Sequence, residues 1–160
     1  MISGIWSERL QDLGIQLPAV VPPVAAYVPA MRTGSLVYTS GQLPMVDGKM
    51  PATGKVGSDV SAEDAKAMAR VCALNALAAV HALVGIDSVV QVVKVVGFVA
   101  SAEGFTGQPG VVNGASELFG EIFGEAGAHA RSAVGVAELP LNAPVEVELI
   151  VEVQYYDAFQ

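Results

Sequence analysis

Arg131, Glu146, Glu148 and Glu152 are the residues whose types and spacing suggest chemistry. They lie in HARSAVGVAELPLNAPVEVELIVEV, residues 129–153. Charged residues make up only 15% of the chain, so a cation and a line of carboxylates on otherwise apolar segments call for a reason. An arginine fork donates two parallel hydrogen bonds to a carboxylate and keeps its charge at any working pH. A carboxylate within hydrogen-bond reach of a water can orient that water and pass its proton. Two plainer readings stand beside these: a structural salt bridge between Arg131 and a nearby glutamate, and a solvated stripe of glutamates. His129, two residues before Arg131, either shares its face or sits at the surface.

The elements that must position these groups follow from hydrophobic period and turn chemistry. Val145, Val147, Leu149, Val151 and Val153 face one way, and Glu146, Glu148, Ile150, Glu152 and Gln154 the other, as a strand requires. In the strand before it, Val134 and Val136 alternate with Ala133, Gly135 and Ala137. Ser88 to Ser101 is rich in valine, which favours a strand over a helix. Ser61 caps a long helix that ends at Gly85, with Glu63 and Asp64 at its positive end. A second helix runs from about Pro109 to Phe123 and stops at Gly124. Ala26 to Thr33 and Leu36 to Ser40 read as strands joined around Gly34, and Asp47-Gly48 marks a tight turn. Trp6 to Leu13 reads as a short helix capped by Ser7, leading into the proline-rich connector LPAVVPP. The expected division is residues 1–18 as helix and connector and 19–160 as the domain. The order predicts an α+β layer, two helices covering one face of a mixed sheet.

Composition narrows the partners. A hydrophobic fraction of 52% and mean hydropathy of +0.51 suggest either a membrane chain or a subunit that buries surface against its own copies. Polar residues interrupt every apolar run before the ~18 residues a spanning helix needs, so self-association is the expectation. A net charge of −8 with scattered basic residues disfavours nucleic acid as a partner. It leaves room for a small anion, since one arginine in a desolvated pocket outweighs a diffuse field. The N-terminus lacks a basic, then apolar, leader, and the lone Cys72 reads as a small buried apolar residue; both fit a cytoplasmic location.

Several segments, in order, resemble the Rid/YjgF family. They are Ala26-Tyr27-Val28; LVYTSGQLP from Leu36 to Pro44; Asn113 within VVNGASELF; Ala130-Arg131-Ser132; Leu139-Pro140; and Val145-Glu146-Val147-Glu148. The resemblance implies a chorismate-mutase-like fold and a homotrimer with clefts between subunits. It also implies cofactor-independent hydrolysis of 2-aminoacrylate and related imines to 2-keto acids and ammonia. Arg131 is then the anchor for the substrate carboxylate and Glu146 the catalytic carboxylate. Tyr27, Ser40, Gly41 and Asn113 become substrate-binding positions; otherwise they are a core aromatic, a tight turn and a helix-start residue. The chain departs from the family in having Ala133 where many members have cysteine, and in its N-terminal helix and enlarged loop, Glu103 to Gly110. Some members are labelled endoribonucleases, which the acidic charge disfavours here. A non-catalytic trimer that binds small carboxylates through Arg131 is the remaining alternative.

One geometric expectation follows. A simple hairpin centred on Leu141 would put Arg131 opposite roughly Val151 and Glu152, with Glu146 on the order of 16 Å along the strand. Either the two strands are not hairpin neighbours, or a cleft takes Arg131 and Glu146 from different subunits. His81 and His129 lack metal-ligand partners at suitable spacing. No nucleotide loop, nucleophile elbow or Cys–His arrangement stands out.

Overall fold

The computed structural model describes residues 4–23 and 25–155. Three helices, α1 (Ile5–Asp12), α2 (Ala62–Val84) and α3 (Gln108–Phe123), accompany five strands. The strands are β1 (Ala30–Thr33), β2 (Leu36–Thr39), β3 (Val89–Ala100), β4 (Ala130–Val136) and β5 (Val145–Val153). They form one mixed sheet in the order β1-β2-β5-β3-β4, with β3 and β4 parallel and the other pairs antiparallel. Helices α2 and α3 cover one face, as the α+β pattern predicts.

The local signals explain most boundaries. Ser61 Oγ accepts from the Asp64 N–H at 3.0 Å, and Gly85 closes α2 in a positive-φ conformation. Asp47 and Gly48 both adopt positive φ between Val46 and Lys49, the geometry that an Asp-Gly hairpin turn favours. The first strand is shorter than its pattern suggests and begins at Ala30. Pro29 has no N–H to give a ladder, and Tyr27 N–H turns back to the Ala25 carbonyl. Ser7 is not the cap of α1. Gly4 holds that position, and the Asp87 carboxylate accepts from the Trp6 and Ser7 N–H groups at 2.8 and 2.9 Å. A partner 80 residues away has replaced the local one.

The core lies between the sheet and α2/α3. Val92, Val95, Val99, Val145, Val147, Leu149 and Val151 meet Leu77, Val80, Leu118, Phe119 and Ile122, all nearly inaccessible. Each such side chain contributes about 1.5–3 kcal/mol on burial. By length and composition α2 could cross a bilayer, but 56% of its most apolar stretch is buried within the fold. Its apolarity serves this core. Gly114 lets α3 approach α2, since a Cβ there would lie 2.0 Å from the Lys66 carbonyl oxygen. Trp6 fastens α1 to the same body, donating Nε1–H to the Val89 carbonyl at 2.7 Å and stacking edge-on against Phe123.

Candidate functional site

The last two strands are not hairpin neighbours, because β3 runs between them. Arg131 aligns with Val95 and, across it, Leu149; Glu146 aligns with Phe98 and, across it, Val134. Arg131 and Glu146 are thus two strand spacings and three residues apart. Their backbones are on the order of 14 Å apart at ~4.8 Å per strand and ~3.3 Å per residue. They also face opposite ways. Arg131 shares the helix-covered face with the buried Val95 and Leu149, whereas Glu146 is on the open face, offset by one from the buried Val145 and Val147. The residues singled out from the sequence therefore form two separate clusters.

The first cluster surrounds Arg131 on edge strand β4. Its Nη1 donates to Asn113 Oδ1 at 2.7 Å and to Ser116 Oγ at 3.2 Å. Asn113 and Ser116 are one helical turn apart on α3, so both reach the same guanidinium. The salt bridges among the described residues are Lys55–Glu138, Lys66–Glu117 and Arg70–Glu121, so Arg131 has no carboxylate partner there. Its Nη2 and Nε have no hydrogen-bond acceptor among the described residues. The arginine is half-buried, oriented by neutral oxygens and left with most of its donors unspent. Asn113, one alternative for which was a mere helix-start residue, is within α3 and holds the arginine.

His129 belongs to this cluster. Its Nε2 is 2.8 Å from Ser116 Oγ, and its Nδ1 is 2.6 Å from the Gly127 carbonyl oxygen. The ring also meets Phe119 edge-on. Sequence reasoning passed over Ser116. The available signal was its i, i+3 spacing from Asn113 on a helix facing the arginine strand.

The second cluster surrounds Glu146. After β2 the chain continues beside β5, where Gln42 and Val147 exchange backbone hydrogen bonds at 2.8 and 3.1 Å. Gly41 is thereby laid against the Glu146 side chain. A Cβ on Gly41 would stand 2.8 Å from Glu146 Cδ and 2.9 Å from Oε1, so the missing side chain makes room for this carboxyl. The Ser40 hydroxyl is spent on the Val28 carbonyl at 2.6 Å and pins the preceding segment. Burial pushes the Glu146 carboxyl above its ordinary value, and the negative charge of Glu148 adds to the shift.

Tyr27 is exposed and lines a cavity of about 200 Å³ with Pro29, Gly41, Leu43, Pro140 and Leu141. Leu141 takes a left-handed conformation, φ 57°, that is costly for a branched side chain, and 65% of its surface is exposed. A larger groove of about 490 Å³ separates the proline connector from α2. Its Asn75 already donates to the Leu43 and Met45 carbonyls, and no arginine or lysine lines it to grip a carboxylate. Among the described residues no cluster of three His, Cys, Asp or Glu side chains could hold a metal. Cys72 is buried beneath β5. Burial raises its thiol well above the ordinary range, and Glu146 contributes in the same direction.

A mixed sheet with two helices on one face, a neutral-capped arginine on its edge strand and a glutamate on its bare face define the class of this molecule. The chain belongs to the family described as "YjgF/chorismate mutase-like, putative endoribonuclease", whose model matches residues 7–153. It is 45% identical over 152 residues to Protein TCP17 of Trypanosoma cruzi, covering 94% of this chain and 95% of that one. It is 37% identical over 135 residues to a 2-iminobutanoate/2-iminopropanoate deaminase of Salmonella typhimurium, covering 83% and 89%. The crystal structure of Atu1372 from Agrobacterium tumefaciens, described as of unknown function, superimposes with a TM-score of 0.85 at 47% identity, covering 96% of each chain.

Proposed function

We propose that the protein hydrolyses small enamines and imines bearing a carboxylate, releasing a 2-keto acid and ammonia without a cofactor. The observation that carries this reading is the guanidinium of Arg131, which has no carboxylate partner among the described residues and two nitrogens without acceptors. A half-buried cation in that state favours an incoming carboxylate, which its planar fork matches. The deaminase name carried by the Salmonella typhimurium relative supports the reaction class.

Glu146 is the second participant. A carboxyl whose affinity for protons is raised by burial is better suited than an ordinary one to take a proton from water and return it. Because Arg131 and Glu146 occupy opposite faces of one sheet, the reaction requires them from different subunits. A homotrimer with three equivalent clefts meets that need. The half-exposed apolar residues of the bare face, among them Tyr38 and Val134, supply surface for such contacts. In each cleft Arg131 and Asn113 of one subunit hold the carboxylate. Glu146 and Tyr27, with the Ser40-Gly41 backbone of the neighbour, enclose the reacting carbon. Ala133 packs beside Gly97 on the helix face, so the reaction is assigned no thiol. The net charge of −8 sets the ribonuclease reading aside.

The test generates 2-aminoacrylate or a longer imine in situ and follows keto-acid release. The wild type accelerates release, and Arg131→Ala and Glu146→Ala do not. Mixed trimers of the two variants regain part of the activity, since some clefts then combine an intact arginine with an intact glutamate. If the wild type accelerates no imine yet binds keto acids, the protein is a carboxylate binder and the hydrolase reading is wrong.

A further inference from the structure

The Ser116–His129 pair has no place in the reaction as described so far. A carbonyl oxygen can only accept, so the 2.6 Å contact with Gly127 places the hydrogen on His129 Nδ1. In the neutral ring the Nε2 lone pair then faces Ser116, whose hydroxyl donates across 2.8 Å. A hydroxyl, an imidazole and a third group fixing the imidazole's orientation form the arrangement that lets an oxygen exchange a proton. The same Ser116 Oγ is 3.2 Å from Arg131 Nη1. Ser116 and His129 therefore adjoin the guanidinium that the proposed reading assigns to the substrate carboxylate, whose next carbon is the reacting one.

The charged groups nearby leave the pair free. Glu117 and Glu121 of α3 are paired with Lys66 and Arg70 of α2. Lys94 pairs with Ala130 in the register that places it on the bare face. Glu125, in the 3-10 turn Gly124–Gly127 that supplies the Gly127 carbonyl, is exposed, and Arg131 is the cation that faces Ser116.

We propose that Ser116, backed by His129, takes the hydroxyl proton of the hydrated imine as its carbonyl forms. This rests on the imine-hydrolysis reading and completes its proton balance. When water adds to the protonated imine, a C–O bond forms and one water proton passes to Glu146. In the collapse, Glu146 returns that proton to the nitrogen and the C–N bond breaks with its electron pair going to nitrogen. The hydroxyl proton passes to Ser116 Oγ as the serine proton moves to His129 Nε2. Keto acid and ammonia leave, and His129 gives its proton to solvent. Ser116 touches the substrate; His129 acts through it.

The experiment compares Ser116→Ala, Ser116→Thr and His129→Gly with wild type on the in situ imine, alongside titration with 2-oxobutanoate. Ser116→Ala removes one oxygen from a helical site, so its fold is retained. The expected result is a kcat loss of about a hundredfold in Ser116→Ala and His129→Gly, with 2-oxobutanoate binding little changed in His129→Gly, which leaves both Asn113 and Ser116 on the guanidinium. Ser116→Thr keeps a large share of turnover, and added imidazole restores His129→Gly but not Ser116→Ala. Undiminished kcat in Ser116→Ala or His129→Gly, or a loss in His129→Gly matched by lost 2-oxobutanoate binding, overturns the relay while leaving the hydrolase reading intact. A wild type inactive on every imine overturns both.

Discussion

Arg131 Nη1 donates to Asn113 Oδ1 at 2.7 Å, so a cation on an edge strand is held by a neutral amide from the helix beside it. The amide fixes the guanidinium without neutralising it. Hydrogen bonds to charged groups contribute about 1.5–3 kcal/mol. Asn113→Ala is therefore expected to weaken keto-acid binding roughly tenfold or more. Asn113→Asp supplies an internal counterion and is expected to weaken binding further. Titration with 2-oxobutanoate checks both; equal affinity in Asn113→Asp and wild type would count against Arg131 as the anchor.

Gly41→Ala separates the proposed role of the Glu146 carboxyl from stability. Its backbone is not in the left-handed region, and the new methyl would meet the end of the Glu146 side chain at 2.8–2.9 Å. That side chain can move at small cost to folding, but it then leaves its place. Turnover is expected to fall at least tenfold, about 1.4 kcal/mol in the barrier, with a melting temperature close to wild type. A fully active Gly41→Ala would show that the position of Glu146 is not critical.

Glu146 also makes stability depend on pH. Its folded pKa lies above its ordinary value, through burial and then Glu148, so the native state holds the proton more tightly than the unfolded chain. Stability therefore falls as pH rises from the ordinary carboxylate range through the folded pKa, and the penalty persists above it. Glu146→Gln is expected to melt higher than wild type at neutral pH, with the gap closing in acid. A gap that is constant from pH 3 to 8 would contradict the shift.

Asp87 behaves with the opposite sign. Burial works against its ionisation, but hydrogen bonds from the Ser7 hydroxyl and the Ser7 and Trp6 N–H groups, with the nearby His81, outweigh it and leave the carboxyl below its ordinary value. The stability it contributes is present above the unfolded pKa and is lost as pH falls through the folded one. Asp87→Ala is expected to cost about 1–2 kcal/mol, as for a lost helix cap. Amide exchange of Trp6 and Ser7 should rise well before that of β3. Unchanged exchange at these two amides would show that α1 does not need this cap.

Periodicity and turn residues made much of this molecule legible. The alternation of β5, the valine-rich β3, the Ser61 and Gly85 ends of α2 and the Asp47-Gly48 turn all act within a few residues, and such signals survive in the linear chain. The ordered motifs around Tyr27, Ser40, Asn113, Arg131 and Glu146 likewise pointed to the family to which the chain belongs.

Tertiary structure decided which of those residues meet. Inserting β3 between β4 and β5 put Arg131 and Glu146 on opposite faces, because a strand's side chains alternate and its register is set by its neighbours. The Asp87 cap on α1, the fit of Gly41 against Glu146 and the Ser116–His129 pair join residues distant in sequence or separated by a turn and a loop. The sequence by itself determined the elements and the candidate chemistry. Packing determined that the arginine has an amide and a serine for company, since contacts across a core depend on three-dimensional distance rather than residue spacing.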